Sequence, residues 1–457
     1  MPQLDNLETA SASDLAAAVA VGQVSALELV DAAIDRIETR DRPINAVVVR
    51  DFDRAREAAK TADSLPVGSP RAPLHGVPMT VKESHNVAGL KTTWGFEGFK
   101  DFIVLEDSVG VARLKAAGAI ILGKTNVPPF LGDWQSANPI YGRTNNPWNL
   151  ARSPGGSSGG AAAALASGMV PLEFGSDIGG SIRIPAVLCG VYGHKPSYNL
   201  IPMKGHSPPG AVGAGLPLAV VGPMARTAAD LDLALSVLAG PFGGEAKGYR
   251  LDLPGPRHAQ LADYRVLIID AYPGVALDEE VRAALLGLAD QIAAAGAIVS
   301  RHSDLMPVLT EAGELYQKML GTAMSRGGPP QPNPISAHDW MGMLDEQHRL
   351  RLTWAKLFET FDIVLAPAFG TVAFPHNPGP EPRTLNINGE ETPYFGQMAW
   401  PGLATLSNLP ATAIPIGQSK AGLPIGIQVI GAYLEDRTTI GFAGLLEHAF
   451  GGFRAPK

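Results

Sequence analysis

Apolar residues recur along this chain at two spacings, three to four residues and two residues, which predict helices and strands respectively. Helical spacing dominates residues 7 to 62, where Ser13-Asp14 and Ser25 are placed to cap two helices and Pro43 to end the second. The predicted helices are 15–21, 26–40, 52–62, 108–117, 161–166, 226–238 and 279–295. The predicted strands are 74–82 (a turn leading into a short strand), 119–122, 170–174, 265–270, 297–300, 363–366, 411–416 and 426–430.

A strand, an amphipathic helix and a second strand follow one another over residues 265–300. This β-α-β order predicts a crossover in a partly parallel sheet, and hence an α/β protein. Two segments rich in Pro and Gly, 325–337 and 374–393, are predicted to be surface loops and not domain linkers, because strand-like runs resume after both.

Composition then narrows the class of protein. The chain is 46% apolar and 18% charged, with a net charge of −8, which argues against nonspecific binding to nucleic acid. Its single cysteine, Cys189, excludes an internal disulfide and a zinc site of paired cysteines. The first 15 residues contain acidic side chains and no long apolar run, and no stretch has the roughly 18 apolar residues that a membrane span needs. We therefore expect a soluble cytoplasmic protein.

Residues 118–125, with Lys124 and Thr125 at the end, satisfy the phosphate-loop pattern G-x-x-x-x-G-K-T. The inner residues 119–122 are themselves predicted to be a strand, and a strand cannot wrap a phosphate with consecutive N–H groups. Two prolines follow soon after, where a phosphate loop requires a helix. The segment is therefore interpreted as structural.

Residues 155–159, with Ser157 in the middle, satisfy G-x-S-x-G, the nucleophile elbow of α/β-hydrolases. An elbow is entered from an apolar strand, whereas residues 145–154 have the composition of a loop. It also needs an acid and a histidine downstream, and none of the histidines there stands in a distinctive setting. An esterase that uses Ser157 with a histidine remains the alternative mechanism.

Two Gly/Ser-rich loops, 153–160 and 175–181, lie at the ends of a predicted helix and strand. Each presents serine beside glycine, which is the combination that acyl transfer needs, namely a nucleophile and backbone N–H groups for the oxyanion. Lys82 stands at the end of an apolar strand, where burial would keep its amine neutral. The pattern alone leaves open whether Lys82 is catalytic or simply solvated.

Taken together, these segments resemble the amidase signature family, and the resemblance spans nearly the whole chain. The matching segments are GVPMTVK at 76–82, GKTN at 123–126, NPW at 146–148, GGSSGG at 155–160, GSDIGGSIRIP at 175–185, Cys189-Gly190, GHKP at 193–196 and LPIGIQVIG at 423–431. Ser176 stands where threonine is commoner, and Glu83-Ser84 replaces the commoner acid-amide pair. These departures affect pocket details and not the reacting groups.

The resemblance implies a role for each matching residue. Lys82 would be the base, Ser157 the bridging serine and Ser181 the nucleophile. The N–H groups of Ile178, Gly179, Gly180 and Ser181 would form the oxyanion hole. Gly156, Asp177 and Arg183 would support the site, and the Gly156–Ser157 peptide would be cis.

The resemblance further implies one α/β domain over residues 1–457, a mixed sheet with helices on both faces. Residues 1–70 would be a helical flank, 71–240 the catalytic region and 241–457 the remainder of the same domain. The activity would be hydrolysis of amide, anilide or carbamate C–N bonds, with no metal and no cofactor. The alternatives are a non-catalytic binding protein and a transamidating subunit.

Apolar segments near the predicted site indicate a broad pocket for a neutral substrate with an apolar or aromatic group. The residues proposed to line it are Phe130, Leu131, Tyr141 and Trp400, and segment 208–217 is included. For each aromatic residue, a place in the protein core is an equally good interpretation. We expect a small-molecule amide or carbamate as the substrate, no nucleic-acid or membrane partner, and a monomer or homodimer.

Overall fold

The structure, a computed structural model, describes residues 8–66, 69–211, 213–326, 328 and 333–457. The helices are α1 Ala12–Ala20, α2 Ala26–Ile44, α3 Phe52–Asp63, α4 Val109–Ala116, α5 Gly159–Ala166, α6 Arg183–Cys189, α7 Ala228–Leu238, α8 Glu245–Gly248, α9 Glu279–Ala294, α10 Leu309–Met324, α11 Ala337–Thr360, α12 Ala399–Thr405 and α13 Asp436–Phe450. The strands are β1 Val47–Arg50, β2 Pro78–Lys82, β3 Ile120–Thr125, β4 Ala137–Asn138, β5 Gly142–Arg143, β6 Leu172–Asp177, β7 Tyr192–Lys195, β8 Val220–Ala225, β9 Arg265–Ile268, β10 Ile298–Ser300, β11 Ile363–Pro367, β12 Thr384–Ile387, β13 Glu390–Pro393, β14 Ala411–Gln418 and β15 Pro424–Ile430.

Among the described residues, an 11-stranded sheet organises the molecule, in the order β1-β3-β2-β6-β8-β7-β14-β15-β11-β9-β10. It is mixed: β3, β2 and β6 run parallel, as do β11, β9 and β10, while the strands between these two groups pair antiparallel. Strands β2, β6, β8 and β15 are buried at every position, so both faces of the sheet are covered. The predicted α/β class and the parallel β-α-β unit are confirmed.

The sheet combines strands from both the predicted catalytic region and the remainder of the chain, since β14 pairs with β7. A single core cluster likewise extends from Ala12 to Leu446. These contacts support one domain, and the subdivision at residues 70 and 240 stays a prediction.

The N-terminal flank differs from its prediction in three places. Helix α1 is capped by Ser11, whose Oγ accepts the N–H of Asp14, and not by Ser13-Asp14. Helix α2 has the predicted Ser25 cap but continues past Pro43 to Ile44, and Asn45 then turns the chain with a left-handed φ of 58°. Residues Val47–Arg50 are not helical: they form the edge strand β1, antiparallel to β3.

Several elements further along were not predicted. Helices α10 and α11 flank the segment predicted as a loop at 325–337, of which residues 327 and 329–332 lie outside the described residues. Strands β12 and β13 form a hairpin within the predicted loop 374–393. Strands β7 and β8 and helix α13 were also missed. No helix in the described part of the chain combines the length and the apolar character that crossing a membrane requires.

Helix α5 explains the alanine-rich run at 161–166. Every residue of the helix is buried, so it has no polar face, and small side chains let it approach neighbouring backbone closely. A Cβ added at Gly160 would lie 2.3 Å from the backbone nitrogen of Asn126. The close approach places the N-terminus of α5, and the loop before it, against the ends of β2 and β3.

Candidate active site

Lys82 is the last residue of β2, which lies between β3 and β6 in the sheet, and its side chain is fully buried. Its Nζ donates to Ser157 Oγ at 2.7 Å and to Ser176 Oγ at 2.9 Å. The amine thus meets one hydroxyl from each Gly/Ser-rich loop. This contact joins segments that are 75 and 94 residues away along the chain.

Burial lowers the pKa of Lys82 to about 7, because the interior solvates the ammonium form poorly. The nearby carboxyl groups of Asp177 and Glu173 oppose the shift. Burial in turn raises the pKa of Glu173 to about 7, so it carries less negative charge than an exposed glutamate. Near neutral pH, a substantial share of Lys82 is therefore a neutral amine that can accept a proton.

Ser157 stands just before α5, in a loop with little room for side chains. A Cβ at Gly156 would lie 2.5 Å from the carbonyl oxygen of Asp133. The Gly156–Ser157 peptide is cis, which confirms that prediction. The N–H of Ser158 donates to the Ser181 carbonyl at 3.1 Å, which ties the two Gly/Ser-rich loops together.

Asp177 and Arg183 form a fully buried ion pair at the base of the loop 178–181, with Arg183 Nη2 2.8 Å from Asp177 Oδ1. Burial by itself would raise the pKa of Asp177, but the charge and hydrogen bonds of Arg183 outweigh it and lower the pKa to about 2. The arginine also donates to the carbonyl of Pro401, to Gln428 Oε1 and to Thr405 Oγ1. This network anchors the loop to α12 and β15.

The N–H groups of residues 178–181 differ in how they are used. The Gly180 N–H donates to Asp177 Oδ1 at 3.0 Å. The N–H groups of Ile178, Gly179 and Ser181 donate to no acceptor among the described residues, and the Ser181 hydroxyl likewise has no partner there. Three backbone donors thus remain free beside an unpaired serine hydroxyl.

A family model for the amidases, described as Amidase, matches residues 28–326 and 324–440 of the chain. The chain belongs to the Amidase family. It is 33% identical to a glutamyl-tRNA(Gln) amidotransferase subunit from Roseiflexus castenholzii, over 96% of this chain and 95% of the relative. It is 31% identical to an acylamidase from Rhodococcus erythropolis, over 97% and 96% of the two chains. A solved bacterial aryl acylamidase of the amidase signature family superposes with a TM-score of 0.83 at 28% identity, covering 97% and 96%.

The family membership makes the chain an amidase, an enzyme that hydrolyses amide C–N bonds. It also explains the two misleading motifs. In this amidase, residues Ile120–Thr125 of the apparent phosphate loop form strand β3. Lys124 Nζ is buried and donates to the carbonyl of Lys91 and to Thr92 Oγ1, so its role is structural.

No histidine in the described part of the amidase forms a hydrogen bond with Ser157. His206 Nε2 lies 2.9 Å from Ser84 Oγ, and the ring of His85 stacks on Phe174 at 4.1 Å. His194 is fully buried between Thr412 and Asp436. The hydroxyl of Ser157 instead pairs with Lys82, which removes the geometric basis of the elbow alternative.

The four proposed pocket residues lie in different environments. Phe130 is 41% exposed, and it packs against Phe96 and Phe99 with ring centroids 4.7 and 6.3 Å away. Leu131 is half-buried beside it. Tyr141 is also half-buried, and its hydroxyl donates to Glu83 Oε1 at 3.2 Å.

Trp400 is fully buried in a core cluster that includes Tyr272 and Trp354, so the structure places it in the core and not at a pocket surface. The segment 208–217 is only partly described, because Val212 lies outside the described residues. Of the proposed pocket residues, therefore, Phe130 is exposed, Leu131 and Tyr141 are half-buried, and Trp400 lies in the core.

Several residues that build the site were not predicted from the sequence. They are Ser176, Glu173, Trp134, Tyr316 and Gln428. Ser176 lies within the matched motif and was noticed only as a departure from the family pattern. Tyr316 is 138 residues from Ile178, which it contacts, and no local pattern marks it. Gln428 is 245 residues from Arg183, which it contacts; it lies within the matched segment 423–431 but was given no role there.

The pKa of Lys82 predicts the pH dependence of this amidase. A base must be unprotonated, so if Lys82 is the base, kcat/KM should fall about tenfold per pH unit below about 7 and level off above it. Stopped assays with a neutral anilide from pH 5 to 9 measure the profile. Lys195 is the informative control, because burial lowers its pKa to about 7 as well. Lys195→Met should leave the midpoint of the pH profile unchanged. A midpoint that shifts in this variant would show that the profile reports Lys195 and not Lys82.

Proposed function

We propose that this amidase is a serine hydrolase that cleaves neutral amides, anilides and carbamates through a relay of Lys82, Ser157 and Ser181. The observation that carries the proposal is the contact of a fully buried lysine with Ser157, 2.7 Å from Nζ to Oγ. A neutral amine at that distance can take the Ser157 proton directly.

The proposed reaction proceeds in two halves. Lys82 takes the proton of Ser157 as Ser157 takes that of Ser181, and Ser181 Oγ attacks the carbonyl carbon. The oxyanion is bound by the free N–H groups of Ile178, Gly179 and Ser181, since the Gly180 N–H already donates to Asp177. The C–N bond breaks as the proton returns through Ser157 to the leaving amine. Water then attacks the acyl-Ser181 ester through the same relay and releases the carboxylic acid or, from a carbamate, the monoalkyl carbonate.

The substrate class is inferred from the surface formed by Phe96, Phe99 and Phe130, which we call the aromatic cluster. Phe96 and Phe130 are 40% and 41% exposed, and large apolar side chains this exposed favour an apolar or aromatic ligand that covers them. Two relatives, an acylamidase and an aryl acylamidase, support the same class. We propose that the enzyme acts alone, as a monomer or homodimer, on such small molecules.

One variant tests the aromatic cluster. Phe130→Ala should raise KM for an anilide about tenfold, since burying a phenyl group contributes roughly 1.5–3 kcal/mol, while kcat and the KM of a small aliphatic amide stay unchanged. Phe102→Ala is the matched control: Phe102 is also 41% exposed, outside the cluster. Equal effects of Phe130→Ala on aryl and aliphatic amides would show that the cluster does not bind substrate.

Transamidation is the second candidate function, because several relatives are amidotransferase subunits. Such a subunit would require partner chains and charged ligands for glutamine. The deciding experiment measures kcat/KM on an anilide, an aliphatic amide, an ester, a carbamate and free glutamine with the purified chain. We expect anilides and carbamates to lead. A strong preference for glutamine would overturn the proposal in favour of transamidation, and no turnover of any substrate would favour a non-catalytic protein.

A further inference from the structure

The carbonyl groups of the loop 178–181 are held from outside the loop. Tyr316 Oη donates to the Ile178 carbonyl at 2.6 Å, and Trp134 Nε1 donates to the Gly179 carbonyl at 2.9 Å. The N–H of Ile184, at the start of α6, donates to the Gly180 carbonyl at 2.7 Å. The carbonyl oxygens of Ile178, Gly179 and Gly180 are therefore each held in a defined direction.

These contacts determine where the N–H groups point. In a planar trans peptide, the C=O of one residue and the N–H of the next point in opposite directions. The hydrogen bond from Tyr316 to Ile178 therefore directs the Gly179 N–H away from α10, and the bond from Ile184 to Gly180 directs the Ser181 N–H away from α6. The Gly180 N–H is directed to Asp177. Gly179 and Ser181 thus present oriented donors.

Tyr316 is held in one position. Tyr316 is 1% exposed. A Cβ at Gly402 would lie 2.6 Å from Tyr316 Cδ1, so α12 packs directly on the ring. Met398 Sδ lies 3.7 Å from the hydroxyl. Burial raises the pKa of Tyr316, which keeps the hydroxyl protonated and able to donate. A rigid donor of this kind fixes the peptide group it contacts.

We propose that Tyr316 is a positioning residue for the oxyanion hole: its hydroxyl, acting through the Ile178 carbonyl, aims the Gly179 N–H at the oxygen that becomes negative in the transition state. This inference rests on the proposed function, because it assumes Ser181 as the nucleophile. It assigns a role in catalysis to α10, a helix that begins more than a hundred residues after the two Gly/Ser-rich loops.

Tyr316→Phe tests the inference, because it removes the hydroxyl and retains the ring. Loss of a whole oxyanion donor lowers kcat roughly 10²- to 10³-fold. Loss of its orientation should lower kcat about 10- to 100-fold and leave KM for an anilide within threefold. Affinity for a trifluoromethyl ketone, which forms an oxyanion on the nucleophile, should fall by the same factor as kcat. Affinity for an unreactive substrate analogue should not change.

Tyr272→Phe is the matched control. The Tyr272 hydroxyl also donates to a backbone carbonyl, that of Leu309 at the start of the same helix, but it does not touch the loop 178–181. We expect wild-type kcat and wild-type inhibition for this variant. In each variant, the ratio of the affinity for the ketone to the affinity for the unreactive analogue does not depend on how much enzyme is folded. This ratio therefore separates an effect on the orientation of the N–H group from an effect on stability.

The inference is overturned if Tyr316→Phe keeps kcat within threefold of wild type, or if the ketone and the unreactive analogue lose affinity equally. It is also overturned if Tyr272→Phe matches the loss. Failure of the proposed function has a different signature: Ser181→Ala would then retain turnover. An inactive Ser181→Ala together with a fully active Tyr316→Phe rejects the positioning role alone.

Discussion

Replacing Ser181 by alanine is expected to lower kcat by at least about 10⁵-fold, the scale of losses when a serine nucleophile is removed. The fold should be unaffected, because the Ser181 hydroxyl has no hydrogen-bond partner among the described residues. The free energy of unfolding should therefore change by no more than about 0.5 kcal/mol. Steady-state assays and thermal unfolding measure the two quantities.

Trapping the covalent intermediate strengthens this test. A slowly hydrolysed carbamate should add its acyl group to Ser181 in the wild type, located by mass spectrometry of the peptide, and to nothing in Ser181→Ala. His206→Gln is the control for the elbow mechanism, because His206 lies beside Ser84 near Lys82. Turnover that survives in Ser181→Ala but is abolished by His206→Gln would favour a serine and histidine mechanism.

Removing Lys82, the proposed base, or Ser157, the proposed bridging serine, should each lower kcat about 10³- to 10⁴-fold, near the upper end of general-base contributions. Lys82→Met is preferred to alanine because methionine fills the buried site, and an apolar replacement of a buried charge is often tolerated. The double variant Lys82→Met/Ser157→Ala should be little worse than the poorer single one, since both interrupt one proton path.

Ser176→Ala is the control for the relay. It also removes a hydroxyl from Lys82 Nζ, 2.9 Å away, but leaves the contact with Ser157 intact. We expect a loss of less than about tenfold, as for one hydrogen bond of about 1 kcal/mol. A shared proton path would be contradicted if the losses in kcat from Lys82→Met and Ser157→Ala multiplied in the double variant. It would also be contradicted if Ser176→Ala lowered kcat as much as Ser157→Ala does.

Local chemistry explains which parts of the fold could be predicted. The Ser25 cap of α2, the parallel strands around α9 and the cis Gly156–Ser157 peptide depend on neighbouring residues or on a continuous motif. Helix α11 was missed, although Ser336 caps it, because much of its surface is polar and its apolar spacing is weak. Strand β1 was missed because pairing with β3 overrode a helical context.

The four proposed pocket residues lie in different environments for a related reason. An aromatic residue in a loop has the same local pattern whether it packs inward or faces a ligand. Phe130 remained at the surface with Phe96, whereas Trp400 became part of the core with Tyr272. Only the packing of neighbouring elements distinguishes these outcomes.

The amino-acid sequence by itself determined the class of the protein and the candidate reacting groups, because Lys82, Ser157 and Ser181 each lie in a short continuous motif. Only the tertiary structure shows which of these groups meet: Lys82 contacts Ser157, and the Ser181 hydroxyl has no hydrogen-bond partner among the described residues. Burial between β3 and β6 lowers the pKa of Lys82, and the folding of two loops brings its amine to Ser157. The direction of the Gly179 N–H depends on Tyr316, from a distant helix. Desolvation and hydrogen-bond direction are properties of surroundings assembled from remote segments, and no local pattern encodes them.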